Sequence, residues 1–418
     1  MNNRVDYDFA QILDMAIPIS SPCLNWNDFE PFLNRMSEAV SAFITRQLNS
    51  FDTNIKRVFF GAGGHGQYLL KHCRALGIPP DYFCDNDIES FQWLGNTIKK
   101  QHTTIDGLFV LAPSDLMDIN NSQIVVATDI PRFRKAITAQ LMEMGAPIMP
   151  GPECFLYEAI IINSYIRFYL ENLENLKQTC QALDDDRSRF IYLSVLKGRI
   201  VPYCDSEIIC GSMVEGGQYW ALNEFKNLKD TVFVDAGACA GDTVKTFIRN
   251  NIASGFEKIY AFEPDESLFL AMCDNSRHLS RYYQFDFQKI EPVKGAVGCK
   301  PDRAPSVLTA ETSRQEPLSK PQTMPLFSCE LTYALDDYLN GRPVGFIKAD
   351  IEGYEQDLIC GAEQLIQKYR PHLAICIYHL PTDIFAIPLH LKRLVPEYKM
   401  AVRHHAPELS ETVLYCWV

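Results

Sequence analysis

Asp235, Glu263, Asp350, Glu352 and His379 are the side chains whose types and surroundings could do chemistry. Asp235 ends an apolar run in "TVFVDAGACAGDT" and is followed by Gly237 and Gly241. Glu263 ends a second run, in "YAFEP". It lies about 20 residues beyond the glycine turn, the distance at which nucleotide-binding α/β folds place an acid for ribose. A glycine turn lets backbone approach a ligand closely, and a carboxylate at the next strand end can accept both ribose hydroxyls. S-adenosylmethionine asks for such a site: it has a zwitterionic amino-acid part, a ribose and a flat adenine. On this reading Asp235, Gly237, Ala238, Gly241, Asp242, Thr243, Glu263 and Pro264 surround the cofactor, and Val297 in "GAVG" approaches the adenine. NAD is the rival ligand. It usually takes G-x-G-x-x-G, whereas this turn reads D-x-G-x-x-x-G.

Methyl transfer is an in-line displacement, so the acceptor atom must be held close and collinear. Where that acceptor carries a proton, a general base helps to remove it. In an open α/β sheet the acceptor belongs outside the carboxyl ends of the strands. "VGFIKADIEGYE" brings Asp350, Glu352 and Glu355 to such an end, and "HLAICIYH" brings His379 to the same edge. Asp350, Glu352 and His379 are therefore the catalytic candidates. The plainer readings are a structural histidine at His379, an Asp350 paired with Lys348, and a Glu355 that caps or solvates a helix. Asp350, Glu352 and His379 could also hold a divalent ion, but nothing in their spacing fixes a mutual geometry, and no metal is assigned.

The elements that must carry these residues alternate strand and helix signals. The chain has 418 residues, which makes two domains the expectation. A helical segment is read over 1–54. A Rossmann-like unit follows over 55–150, a helical connector over 151–229 and a second α/β unit over 230–418. In the last unit the strand candidates are "TVFVDAG", "KIYAFEP", "IEPVKGAV", "VGFIKAD", "HLAICIYH", "KMAVRHH" and "TVLYCWV". Only "APELSE" separates the last two, too short for a crossover helix, so they form an antiparallel pair. The fold class is α/β: two Rossmann-like domains joined by a helical segment, the second with a terminal antiparallel hairpin as in class I methyltransferases. The proline-rich stretch at 300–328 reads as a surface excursion.

The first α/β unit carries its own motif. "VFFGAGGHGQYLL" sets Gly61, Gly63 and Gly66 in G-x-G-x-x-G spacing between a strand and a helix, and Asp85 ends the next strand. The expected ligand is a nucleotide or nucleotide sugar on the helix N-terminus; a packing role for the same glycines is the alternative.

Bulk properties narrow the classes. A net charge of −13 argues against nucleic acid as the main partner. Apolar content of 47% with 22% charged residues is that of an ordinary globular chain. The N-terminal residues show no charged segment followed by an apolar one, so no signal peptide is read. The longest apolar runs are strand-sized, so no membrane span is expected. The 14 cysteines form no C-x-x-C pair and sit singly in apolar segments. They read as reduced, buried thiols of a cytoplasmic protein, not as a disulfide framework or a zinc site.

"FVDAGACAGDT", "FEPD", "LDDYL", "GFIKADIEGYEQDLICGAEQLI" and "PHLAICIYH" together resemble the FkbM family of S-adenosylmethionine-dependent methyltransferases over about residues 215–418. The resemblance implies O-methylation of a hydroxyl, typically on a sugar or natural-product scaffold. The N-terminal unit is similar, more loosely, to nucleotide-binding domains of sugar-modifying enzymes. The expected partner is a small-molecule or carbohydrate acceptor, with a homo-oligomer compatible. Two other classes remain open at this point: a non-catalytic nucleotide- or cofactor-binding protein, and an NAD-dependent sugar-modifying enzyme built on the N-terminal unit.

Overall fold

The structure is a computed structural model that describes residues 25–49, 52, 54–86, 90–93, 96–99, 104–116, 122–128, 131–146, 152–299 and 331–418. The proline-rich excursion read at 300–328 and most of the first half of the N-terminal helical segment lie outside the described residues. The chain divides into two compact units: Met1–Glu171 with Val195–Ile209, and Asn172–Ser194 with Cys210–Val418. Among the described residues no helix is long and apolar enough to cross a membrane.

In the first unit, strands β1 (Lys56–Phe60), β2 (Tyr82–Cys84), β5 (Thr104–Ile105), β6 (Leu108–Leu111) and β7 (Ser122–Val126) form one sheet in the order β5-β6-β2-β1-β7. The strands β6, β2, β1 and β7 run parallel, and β5 is antiparallel at the edge. A separate hairpin joins β3 (Ser90–Trp93) to β4 (Asn96–Lys99). The β1 run "KRVFF" buries four of its five positions, as an interior strand does. The turn at Gly61 leads into helix Gly64–Ala75. Helix Trp26–Asn49 buries Phe29, Leu33, Met36, Val40 and Phe43, an apolar stripe at three-and-four spacing.

The second unit holds a seven-stranded sheet. Its strands are β8 (Thr231–Ala236), β9 (Phe256–Glu263), β10 (Ile290–Lys294), β13 (Phe346–Ala349), β14 (His372–Cys376), β15 (Lys399–His404) and β16 (Thr412–Trp417). Their order is β10-β9-β8-β13-β14-β16-β15. The sheet is parallel through β14, and β16 lies antiparallel between β14 and β15. The terminal hairpin is thus present, with its second strand on the inside. The run read as one strand, "IEPVKGAV", breaks at Gly295, whose φ is +156°. Its tail becomes β11 (Ala296–Val297), paired with β12 (Thr332–Tyr333). A side chain at Gly295 would meet the Tyr333 ring at 2.6 Å, so the bend requires glycine.

β8 is buried at all six positions and β13 at all four. Stacked Phe233–Phe247 and Phe233–Phe346 pairs fasten β8 to helix Asp242–Asn251 and to β13. From β8 the chain goes to β9 on one side, and later to β13 on the other. The strand order, not the strand direction, reverses between β8 and β13, and in such folds a ligand crevice opens at the carboxyl ends there.

One expectation about the cysteines fails. Cys299 and Cys360 are joined in a disulfide. They stand 61 residues apart in sequence, and sequence spacing alone cannot reveal a pairing made by packing one element on another. The described free cysteines include Cys73, Cys84, Cys376 and Cys416, all buried.

Candidate functional site

At the switch point two buried charges face each other. Asp235 on β8 is opposite Lys348 on β13 in the ladder, and the Lys348 Nζ lies 3.1 Å from Asp235 Oδ1. The Asp235 side chain is fully buried, and Lys348 is 2% exposed. Lys348 also donates to the carbonyl oxygens of Ala236 and Gly237, at 3.2 and 2.6 Å. Thr243, in the first turn of helix Asp242–Asn251, donates its hydroxyl to Asp235 Oδ2. Burial pushes the Asp235 carboxyl up, against the pull of Lys348 and Thr243. Burial works against the Lys348 ammonium too, but the charges of Asp235 and Asp350 outweigh it and hold the ammonium protonated. The plain reading in which Asp350 pairs with Lys348 gives way to this ladder pair.

The glycine turn is tight for a packing reason. Gly237 has φ +76°, and a Cβ there would lie 1.9 Å from the Asp350 carbonyl oxygen. Gly241 caps the helix in the left-handed conformation. Gly237 N and Ala238 N both donate to the Phe262 carbonyl, at 3.1 and 2.9 Å, tying the turn to β9. Glu263 completes that tie. Its Oε2 accepts from Cys239 N at 2.8 Å and its Oε1 from Asp265 N at 2.9 Å. Each oxygen keeps a second lone pair. Burial raises the Glu263 pKa, partly offset by those two amides. A cavity of about 540 Å³ runs beside helix Asp242–Asn251, bounded by Gln218, Tyr219, Asp242, Thr243 and Arg249 among others. Its walls include direct partners of both strand-end carboxylates: Thr243 for Asp235 and Tyr219 for Asp350.

Just beyond β13, a second cluster forms. Asp350 Oδ2 accepts from the Tyr219 hydroxyl at 2.8 Å, and Asp350 Oδ1 from the Tyr378 hydroxyl at 3.2 Å. His379 stands over it. Its Nε2 is 3.4 Å from Asp350 Oδ1 and 3.7 Å from Glu352 Oε2, and its Nδ1 is 2.8 Å from Glu355 Oε1. The His379 side chain is 7% exposed, and Nε2 is buried with no hydrogen-bond partner. Glu355 opens helix Glu355–Gly361 and is fully buried. It reaches back to accept from Ile351 N at 2.9 Å and Gly353 N at 3.1 Å. Glu352 has φ +56° and its side chain is three-quarters exposed. Burial would lower the His379 pKa, but the Glu355 hydrogen bond and the three surrounding carboxylates hold it up at about 9. Burial would raise Asp350, but Lys348, His379 and the Tyr219 hydroxyl hold it below the ordinary carboxylate range. Asp350, Glu355 and His379 each offer a donor atom within 4.8 Å of the others.

Residues 235–400 match the family model described as the methyltransferase FkbM domain. The chain carries an FkbM methyltransferase domain. Among solved structures, the FkbM methyltransferase from Methylobacillus flagellatus KT is similar over 93% of this chain and 99% of its own, with a TM-score of 0.59 and 18% identity. At that identity the likeness speaks for the fold. A SAM-dependent methyltransferase from Aquifex aeolicus covers 47% of this chain and 85% of its own, at 12% identity and a TM-score of 0.26, too loose to bear on function. A comparison with curated proteins finds no match.

In the FkbM domain, Asp350, Glu352 and His379 come together, as do Asp235, Thr243, Gly237 and Glu263 around the turn. Asp242 lines the cavity. Pro264 is half-buried behind Glu263, and Val297 is buried in the separate β11–β12 ladder. The sequence reading missed Tyr219, Tyr378 and Glu411, and named Lys348 only as a partner for Asp350. Glu411 accepts from Gln218 and, at 3.3 Å, from the Tyr378 hydroxyl. A lysine inside the apolar run "GFIKA" was the available signal for Lys348, since a buried lysine needs a charged partner. Glu355 was read as a cap or a solvated residue and proves to be the buried support of His379. In "LDDYL", Asp336 accepts from Gln364 N and Leu365 N, at 3.1 and 2.8 Å, and so caps the helix Glu363–Tyr369.

The N-terminal motif has a packing explanation. A Cβ at Gly61 would meet the Ala127 carbonyl at 2.6 Å, and one at Gly66 the Gly61 carbonyl at 2.0 Å. Gly63 has nothing within 4 Å. Asp85 Oδ2 accepts from Ala62 N at 2.8 Å.

Proposed function

We propose that the FkbM domain transfers a methyl group from S-adenosylmethionine to a hydroxyl of a sugar, nucleotide sugar or glycosylated natural-product acceptor. The observation that carries this reading is the pair of carboxylate clusters at neighbouring strand ends, one on each side of the sheet's switch point. Glu263, fixed by two amides and left with a free lone pair on each oxygen, suits the two ribose hydroxyls. The buried Asp235–Lys348 pair holds the floor of the glycine turn rigid. The cofactor supplies an electrophilic methyl on a sulfonium, which an oxygen displaces to leave a thioether.

Asp350, Glu352 and His379 orient the acceptor hydroxyl, and a carboxylate of the cluster receives its proton as the new oxygen–carbon bond forms. The Tyr219 and Tyr378 hydroxyls hold Asp350 in one rotamer. Glu355 fixes the imidazole so that Nε2 faces the acceptor side. Positioning of this kind is the main source of rate in a displacement with little covalent chemistry for the protein.

The test is calorimetry of S-adenosylhomocysteine on the native chain and on Glu263→Gln, followed by an acceptor screen that reads S-adenosylhomocysteine release. Binding to the native chain with release that depends on a glycosyl acceptor supports the reading. Asp350→Ala should keep cofactor binding and lose at least 100-fold in turnover, in the range of a lost proton acceptor. No binding to the native chain would overturn the cofactor assignment.

A further inference from the structure

We propose that His379 Nε2, Asp350 Oδ1 and Glu352 Oε2 form a binding site for a divalent ion of the first transition row, with Glu355 as the outer partner that orients the histidine. The site requires an atom with a free lone pair, and His379 supplies it. With Nδ1–H committed to Glu355 at 2.8 Å, Nε2 is the ring nitrogen left for a ligand, and an ion there displaces the proton that the surrounding carboxylates otherwise hold on the ring. That Nε2 is buried, lacks any hydrogen-bond partner and is aimed at two carboxylates. A buried polar atom without a partner in a native fold calls for one.

The spacing suits an ion. Two ligand atoms bound at about 2.1 Å to one ion, at angles between about 90° and 120°, stand about 3.0 to 3.6 Å apart. Nε2 lies 3.4 Å from Asp350 Oδ1 and 3.7 Å from Glu352 Oε2. The first is too long for a good hydrogen bond and falls in the range of two ligands sharing one metal, and Glu352, exposed at its turn, closes the second by a small side-chain rotation. The carboxylate–histidine arrangement through Nδ1 is the usual outer support of a metal-bound imidazole. One imidazole and two carboxylates favour manganese, iron, cobalt or zinc over calcium and magnesium, which take oxygens alone. Glu352 is three-quarters exposed at its turn, so the third ligand sits on the open side. Three protein ligands leave coordination positions for water or a substrate oxygen.

The ion's part in the reaction is to bind and acidify the acceptor hydroxyl. With an ion bound, Asp350 and Glu352 serve as its ligands in place of taking the proton, which passes to water. This part, unlike the site itself, rests on the methyltransferase reading.

The experiment titrates the full chain with Mn²⁺ alone and follows loss of the free ion's electron paramagnetic resonance signal. One ion per chain is expected. His379→Gln and Glu352→Gln should each weaken binding at least tenfold, and Glu355→Gln by about 10- to 100-fold, the usual cost of losing an outer partner. Glu352 is exposed enough that its variant keeps the fold even if His379→Gln does not, and thermal midpoints of all three check this. His278→Gln, on an exposed helical position, should bind as the native chain does. No binding at millimolar Mn²⁺, or binding unchanged in Glu352→Gln, overturns the site. A chain that binds S-adenosylhomocysteine but not Mn²⁺ overturns the ion and leaves methyl transfer standing. A chain that binds Mn²⁺ but not S-adenosylhomocysteine does the reverse.

Discussion

The molecule contains two glycine turns built to nearly the same plan, one in each unit. Each follows the first strand of a parallel sheet, and each is held by an acid from the end of the next strand. Asp85 takes Ala62 N at 2.8 Å in one unit, and Glu263 takes Cys239 N at 2.8 Å in the other. Each includes a glycine whose Cβ would overlap a carbonyl oxygen, Gly66 against Gly61 and Gly237 against Asp350. What differs is the charge beneath. β1 ends in Phe59 and Phe60, both buried. β8 carries Asp235 next to its end, paired across the ladder with Lys348, and Asp350 directly follows β13. Burying an ion pair is costly unless its hydrogen bonds are nearly complete, and a turn that only packs has no need of one. The glycine spacing and strand-end acid therefore report turn geometry. The buried charge separates the turn to which we assign the cofactor from the one in the N-terminal unit.

The largest test of that distinction is Lys348→Met. It leaves Asp235 buried without its counter-charge and should cost about 3–5 kcal/mol, measured by denaturant unfolding. A loss below about 1 kcal/mol would remove the contrast between the turns. Next come Gly237→Ala and Gly66→Ala, each overpacked against a carbonyl and expected to cost about 1–3 kcal/mol. Their stabilities should fall alike, but S-adenosylhomocysteine binding should suffer only in Gly237→Ala. Equal loss of binding in both would mean the N-terminal turn also serves the cofactor. Third, Glu263→Gln should weaken S-adenosylhomocysteine by about 1–3 kcal/mol, the cost of a buried partner left unpaired, while Asp85→Asn leaves the calorimetric affinity unchanged.

The smallest effect is an opposed pH dependence. In the N-terminal unit, burial and the charges of Lys71 and Arg167 hold His72 down at about 4. The unfolded chain then binds a proton that the folded one refuses. The stability His72 lends is present above about 6.5, its ordinary value, and is lost as pH falls toward 4. In the C-terminal unit, burial and the Glu355 charge hold Asp383 up at about 7. The folded chain keeps a proton that the unfolded one releases. Its contribution is present below about 3.9 and is lost as pH rises through 7. Amide exchange should show helix Gly64–Ala75 opening more readily at pH 5 than at 7. Helix Asp383–Leu394 should do the opposite. Parallel trends in the two helices would contradict this assignment.

Much of the strand content was legible because each run is short, apolar and closed by glycine, proline or an acid. The terminal hairpin was legible from "APELSE", since six residues cannot cross a sheet. Its insertion with β16 inside β15 was not, because strand order depends on which edge remains open after the rest has packed. The break at Gly295 was hidden, because the clash that forces it comes from Tyr333. At the site, residue types were legible and partnerships were not. Glu355 looked like an ordinary helix-start acid, and only the fold of the Ile351–Gly353 turn shows why it is buried. The Cys299–Cys360 disulfide joins elements that no local pattern connects.

By itself the sequence determined the local matters: which runs are strands, where the chain must turn, and which acids and histidine stand at strand ends. These follow from side-chain volume, backbone freedom and a period of two or 3.6, all of which act over a few residues. The tertiary structure decided who faces whom. It set Lys348 against Asp235 across two strands, and His379 against Asp350, Glu352 and Glu355. Charges act through space, and in a buried site of low polarity their partners fix both protonation and orientation. Distance along the chain carries no record of that.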